Sequence, residues 1–180
     1  MEIKISSGQI LKILYVISWI IFIGLCIEAG SFIFKIIFSL LINPNSLNYF
    51  DLSGLYEYDH GHFYVVLLLM SIAAVMRACI FYLIVKILRN KKLNMLQPFS
   101  NEVGRIIFKI SYLALGTGFF SHWGVNYCNW LVNQGVKMPD IQHLRFDGAD
   151  VWLFMGVTLF VIGHIFKRGI EIQSENELTI

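Results

Sequence analysis

Apolar positions along the chain gather into long, nearly unbroken runs. They do not show the two-residue alternation of half-buried strands or the single apolar stripe of a surface helix. A helix needs about 20 apolar residues to cross the hydrocarbon of a bilayer. Four runs meet or approach that length, and they predict helices over residues 10–42, 62–88, 102–133 and 149–168. Asn43-Pro44-Asn45 ends the first, because Pro44 has no amide donor and collides with the preceding turn. The polar run Arg89-Asn90-Lys91-Lys92 ends the second. The third starts after Pro98, with Ser100 or Asn101 as cap and Glu102 in its first turn. It is apolar from Ile106 to Trp123, turns wetter towards Asn133 and ends at Gly135. For the fourth, Asp147 is the expected N-cap and Asp150 suits the positive end of the helix dipole. The first and third helices exceed one span, so both are expected to extend on the outer side. The predicted fold class is all-α: a single-domain polytopic membrane protein, a four-transmembrane-helix bundle with a tail over residues 169–180.

Composition agrees. Of the 180 residues, 57% are apolar and 14% charged, against roughly 25% charged in a typical soluble domain. Too few charges remain to cover a water-facing surface, so the lipid bilayer is the expected partner of most side chains. A net charge of +2 gives no footprint for direct nucleic-acid binding. Cys26, Cys79 and Cys128 are widely spaced and read as packing residues. The N-terminal apolar run is longer than the roughly 7–15-residue core of a signal peptide, so the first helix is expected to be retained.

Lysine and arginine set the orientation. Lys4, Lys12, Lys86, Arg89, Lys91, Lys92, Arg105, Lys109, Lys167 and Arg168 fall on one side, against only Lys137 and Arg145 on the other. This bias predicts that both termini and the 89–101 loop are cytoplasmic and that loops 43–61 and 134–148 face outward. Tyr49, Phe50, Tyr56, Tyr58, Tyr64, Trp123, Tyr127, Trp130 and Trp152 gather near the outer ends, as amphipathic rings do at headgroup level.

Polar groups inside the runs are the candidate ligand residues, because a charge in hydrocarbon costs roughly 2.5–3.5 kcal/mol on insertion scales. Gly24, Glu28, Ser31, Lys35 and Ser39 share one helical face. Such a stripe suits helix packing or a homodimer; Glu28 is also a candidate proton or cation site, and Lys35 is expected to snorkel outward. Counted from the inner helix ends at about 1.5 Å per residue, Arg77 falls more than about 10 Å below Glu28, which predicts no direct pairing. Arg77 then snorkels inward or bonds carbonyls, or it anchors an anion or a lipid headgroup. His122 and Asn126, with Gly118, Asn129 and Asn133, form a further polar face, either lining a cavity with Glu28 or wetting a protruding helix.

No catalytic constellation emerges. Asp59, His60 and His62 are metal-ligand types at tight spacing, with His143 or an outer-loop aspartate as a third ligand, but one such pair without a second cluster is a weak signal. His122 and His164 lie at unmatched depths for haem. Gly116-Thr117-Gly118 lies mid-membrane and reads as helix packing. The expectation is a non-enzyme with no catalytic residue, no metal and no cofactor.

Two segments on the terminal side carry a resemblance. Gln97-Pro98-Phe99-Ser100-Asn101-Glu102 is followed by Arg105, and the chain ends Ile165-Phe166-Lys167-Arg168-Gly169-Ile170-Glu171-Ile172-Gln173-Ser174-Glu175-Asn176-Glu177-Leu178-Thr179-Ile180. These resemble a bacterial family of small four-helix membrane proteins classed as a domain of unknown function. Its members carry Pro-Phe-Ser before the third helix and a tail near Glu-x-Asp-Leu-Thr-Ile; Glu177 stands here in place of that Asp. The resemblance implies a multi-pass protein of the bacterial cytoplasmic (inner) membrane, encoded beside a Cro/CI-type helix-turn-helix regulator. It also implies a sensor of an outer-side or membrane ligand that binds the regulator. Pro98, Phe99, Ser100, Arg105, Arg168, Glu171, Glu175 and Leu178 are then the docking candidates. The competing reading is a small proton- or cation-coupled transporter built on Glu28.

Overall fold

The computed structural model describes residues 7–41, 52–89, 100–140 and 142–177. Its elements in order are α1 (Ser7–Leu41), α2 (Ser53–Tyr58), α3 (His60–Arg89), α4 (Asn101–Asn133) and α5 (Ala149–Glu177). All but the short α2 are long and apolar enough to cross a membrane. This is the all-α, four-span architecture that the apolar runs predict. The short α2 is additional; its six residues give no periodic signal of their own.

The ends of the long helices follow local chemistry. Ser100 caps α4, its hydroxyl accepting from the Val103 amide at 3.3 Å. At the other end of α4 the Gly135 amide bonds the Val132 carbonyl and the Val136 amide bonds the Leu131 carbonyl. Gly135 takes φ +85°, so this is a Schellman stop, closed by the buried Leu131 and Val136. The Trp152 amide reaches the Gly148 carbonyl at 3.0 Å, which puts the α5 cap on Gly148 rather than the expected Asp147. Past Arg168 the chain stays helical to Glu177. No proline intervenes there, and Arg168 pairs with Glu171 at 3.0 Å one turn on.

The helices pack mainly in the series α1–α3–α4–α5. Neighbours in the series run antiparallel, and specific pairs fix their register. Ser39 meets Tyr64, Glu28 meets Arg77 and Phe22 meets Tyr82 across α1 and α3. In that register Ile10 lies roughly six residues, about 9 Å, beyond Leu88 at the end that carries the termini. Across α4 and α5, Gly118 abuts Ala149 and Leu153, Gly156 abuts Leu115, and Gly104 abuts Phe166 and Ile170. A Cβ on Gly156 would come within 2.9 Å of the Leu115 backbone amide, so this glycine is what lets the two helices close up. Ser111 completes the seam, donating to the Gly156 carbonyl at 2.9 Å.

The apolar stretch of α5 from Ala149 to Phe166 is about 27 Å long, close to the roughly 30 Å of a hydrocarbon core. α5 begins level with Gly118, so α4 continues far beyond that slab at the distal end, opposite the termini. There α2, the first turns of α3, the end of α4 and the 134–148 loop share a buried core. Leu55, Phe63, Leu131, Leu144 and Phe146 are almost wholly enclosed. Within the slab the packing is sparser, with Ile80, Ile106, Ile110 and Ala114 at its centre. Most α1 side chains level with the slab face outward, Ile17, Ile20, Ile23 and Ile27 among them, which suits lipid contact.

Candidate functional site

Arg77 is the one cation buried among the described residues, and its position follows from the helix register. Ala73, Ala74 and Ala78 lie one turn or less away and leave room for its side chain. Its Nη1 lies 3.8 Å from Glu28 Oε1. Its Nη2 donates to the Arg145 carbonyl at 3.0 Å, and its Nε donates to the Ala73 carbonyl at 3.3 Å. One guanidinium therefore joins α1, α3 and the loop that leads into α5. Asp147 and Arg145 add opposing charges within electrostatic reach.

This pairing corrects the expected 10 Å offset between Glu28 and Arg77. That offset assumes flush helix ends on the terminal side, whereas α1 overhangs α3 there and brings the two residues level. The polar stripe is used only in part. Glu28 and Ser39 reach α3, whereas Gly24 meets nothing within 4 Å; the α1 face on α3 also carries Phe22, Ala29 and Phe32. Ser31 turns inward on its own helix, donating to the Glu28 carbonyl at 2.7 Å. Glu28 Oε1 is buried and accepts no hydrogen bond among the described residues, so its charge is balanced through space.

The Arg145 carbonyl reaches Arg77 because the loop turns back into the bundle. Arg145 has φ +58°, a left-handed backbone that a non-glycine residue holds only where its surroundings impose it. The residues on either side, Leu144 and Phe146, are both fully buried. Phe146 occupies the space beside Gly124, where an added Cβ would lie 2.5 Å from its ring. Gly124 and the Leu144–Phe146 plug are functional candidates that the sequence reading misses. Nothing in the sequence flags a backbone carbonyl as a ligand, because every residue has one.

The other candidates disperse. His122 and Asn126 are both exposed on α4 and bond each other at 3.0 Å. Asp59 caps α3, its Oδ1 accepting from the His62 amide at 2.9 Å. That bond holds its carboxyl below the usual carboxylate range, helped by the Gly61 amide and the nearby histidines. His62 Nδ1 lies 2.6 Å from the Tyr127 hydroxyl, which ties α3 to α4, and the His60 ring packs edge-on against Tyr56. No three metal-ligand side chains converge among the described residues. An apolar groove of about 350 Å³ runs between α3 and α4, with Leu68, Ile72, Phe120 and Trp123 among its walls. Glu28 and His122 are not part of it.

Of the docking candidates, Ser100, Arg105, Arg168, Glu171 and Glu175 belong to the terminal end of α4 and α5, whereas Pro98, Phe99 and Leu178 lie outside the described residues. Ser100 is committed to its cap and Arg168 to Glu171. Arg105, Lys167 and Asn101 border a groove of about 190 Å³ floored by Gly104, Phe108 and Ile170.

No curated protein and no solved structure matches this chain. One family does, over residues 47–180. That stretch holds α2 to α5, with Arg77, Arg145 and the 190 Å³ groove, while α1 and Glu28 precede it. By that match the chain belongs to the family described as Protein of unknown function (DUF2975).

Proposed function

We propose that this protein is a non-enzymatic membrane component that reports the state of its distal cap to a Cro/CI-type helix-turn-helix regulator bound at the terminal end. The single observation that carries the reading is the Arg77 junction. A change in the cap that moves the Arg145 carbonyl alters a contact shared by α1 and α3. Because interiors are close-packed, such a shift is passed on as a movement of whole helices. At the other end, α5 continues past the slab as a helix with Arg168 and Glu175 exposed, a surface for a soluble partner. The charge bias of the loops supports a cytoplasmic position for that end, where a regulator would be found.

The test is capture of such a regulator by the full-length protein in membranes, compared with a chain truncated after Arg168. At least a tenfold loss on truncation is expected, and an Arg77→Met chain is expected to lose responsiveness while keeping capture. Undiminished capture by the truncated chain would remove α5 from the model. The transporter reading is less well supported, because the Glu28 carboxylate is already balanced by Arg77.

A further inference from the structure

The groove at the terminal end of α4 and α5 has a chemistry of its own, separate from the signalling reading. Gly104 faces Phe166 and Ile170 at van der Waals distance, so α4 and α5 come close together there. Arg105 and Lys167 sit at the same level on the two antiparallel helices, and both border the opening. Two like charges on one small groove repel each other unless an anion lies between them. Among the described residues no carboxylate lines the groove, and the nearby Glu171 is bound to Arg168 at 3.0 Å. Asn101 adds a neutral polar group at the rim.

Below the rim, the seam runs into the slab as a continuous aromatic track. Phe108 packs edge-on against Phe160 at 5.7 Å and against His164 at 5.2 Å, and Phe160 packs on Tyr112 at 6.0 Å. Tyr112 is largely exposed, so the track faces outward, towards lipid. Cations at the slab boundary above an apolar, outward-facing channel match one class of molecule, with an anionic head and a hydrocarbon chain. A soluble acidic partner would complement the charges but would leave the aromatic track unused.

We propose that this groove binds an anionic phospholipid, its phosphate held between Arg105 and Lys167 and one acyl chain lying along Phe108, Phe160 and Tyr112. The test is native mass spectrometry of the full-length protein titrated with phosphatidylglycerol and with phosphatidylcholine. Phosphatidylglycerol adducts are expected to persist in preference to phosphatidylcholine, and Arg105→Gln/Lys167→Gln should lower that preference roughly 30-fold. That is the fold-change equivalent to about 1 kcal/mol for each basic residue at a membrane surface. Lys86→Gln/Arg89→Gln removes the same charge from the same end of α3 and should leave the preference intact. Arg105→Lys/Lys167→Arg retains both charges and should keep it. Equal retention of the two lipids by the unmodified chain overturns the proposal and leaves the two cations to a protein surface. So does a preference that survives the double glutamine change, and so does displacement of the lipid by millimolar inorganic phosphate.

Discussion

Replacing Arg77 with methionine tests the junction most directly, because it removes the cation and leaves Glu28 in place. At 3.8 Å and an effective dielectric constant near 20, the attraction is about 4 kcal/mol before desolvation is counted. Losing one partner of such a buried pair costs about 3–5 kcal/mol, since the other charge is stranded. Glu28→Gln should cost less, about 1–2 kcal/mol, because Arg77 keeps the Ala73 and Arg145 carbonyls. The double change Arg77→Met/Glu28→Gln removes both charges and should be milder than Arg77→Met alone, losing mainly the Arg145 bond, about 1.5–3 kcal/mol. Reversible unfolding in mixed micelles reads the three values, and the cycle isolates the coupling. A second readout follows the loop. A cysteine at Leu144, with the three native cysteines replaced, should react slowly with maleimide in the parent and quickly in both Arg77 variants. Additive single costs, within about 0.5 kcal/mol, would refute the pairing. Equal labelling of Leu144→Cys with and without Arg77 would refute its hold on the loop.

Three further outcomes follow from the packing. Gly124→Ala forces a methyl into the Phe146 ring and should cost about 1–3 kcal/mol, whereas Phe146→Ala should cost about 3–5 kcal/mol; both are read by the same unfolding assay, with faster proteolysis at the 134–148 loop. Ser111→Ala removes the bond to the Gly156 carbonyl and should cost only about 0.6 kcal/mol, the average for such bonds inside membranes. Asp59 is held below its ordinary carboxyl pKa of 3.8 mainly by the His62 amide. Its cap is therefore complete above that pH and is lost as pH falls through the lower folded-state value. Thermal unfolding should show a drop at acid pH that is absent in Asp59→Ala, whose midpoint is already lower at neutral pH.

The sequence makes the spans legible for a plain reason. Hydrocarbon demands about 20 apolar residues and a helix that satisfies its own backbone, so length alone reports the element. Stops that rest on local chemistry are legible too: Ser100 caps α4, and Gly135 ends it. Relations between helices are not. The level of Glu28 against Arg77 depends on how far α1 overhangs α3, and both ends of α1 are apolar enough to sit at several depths. The Asp147 cap fails for a related reason. Phe146 must reach Gly124, and that requirement pulls the turn one residue along and leaves Gly148 at φ +71° with the capping role.

The distal loop explains why a buried ion pair persists in this fold at all. Such a pair seldom adds net stability over a well-packed apolar pair, and α1 already packs on α3 through Phe22, Ala29 and Phe32. Arg77 contributes a bond that an apolar residue could not make, a charged donor for the carbonyl of a residue in left-handed backbone. Without that donor, nothing else described holds the Arg145 carbonyl, and the backbone is free to relax out of its left-handed conformation. Relaxation would draw Leu144 and Phe146 out of the cap core. Glu28 then serves as a counter-charge that makes a cation tolerable at that depth, and its lack of a hydrogen bond fits that supporting role better than a direct one. Besides the loop's own backbone hydrogen bonds, the Arg145 carbonyl is thus held by one bond between two enclosed side chains, and through Glu28 the same guanidinium ties that loop to α1.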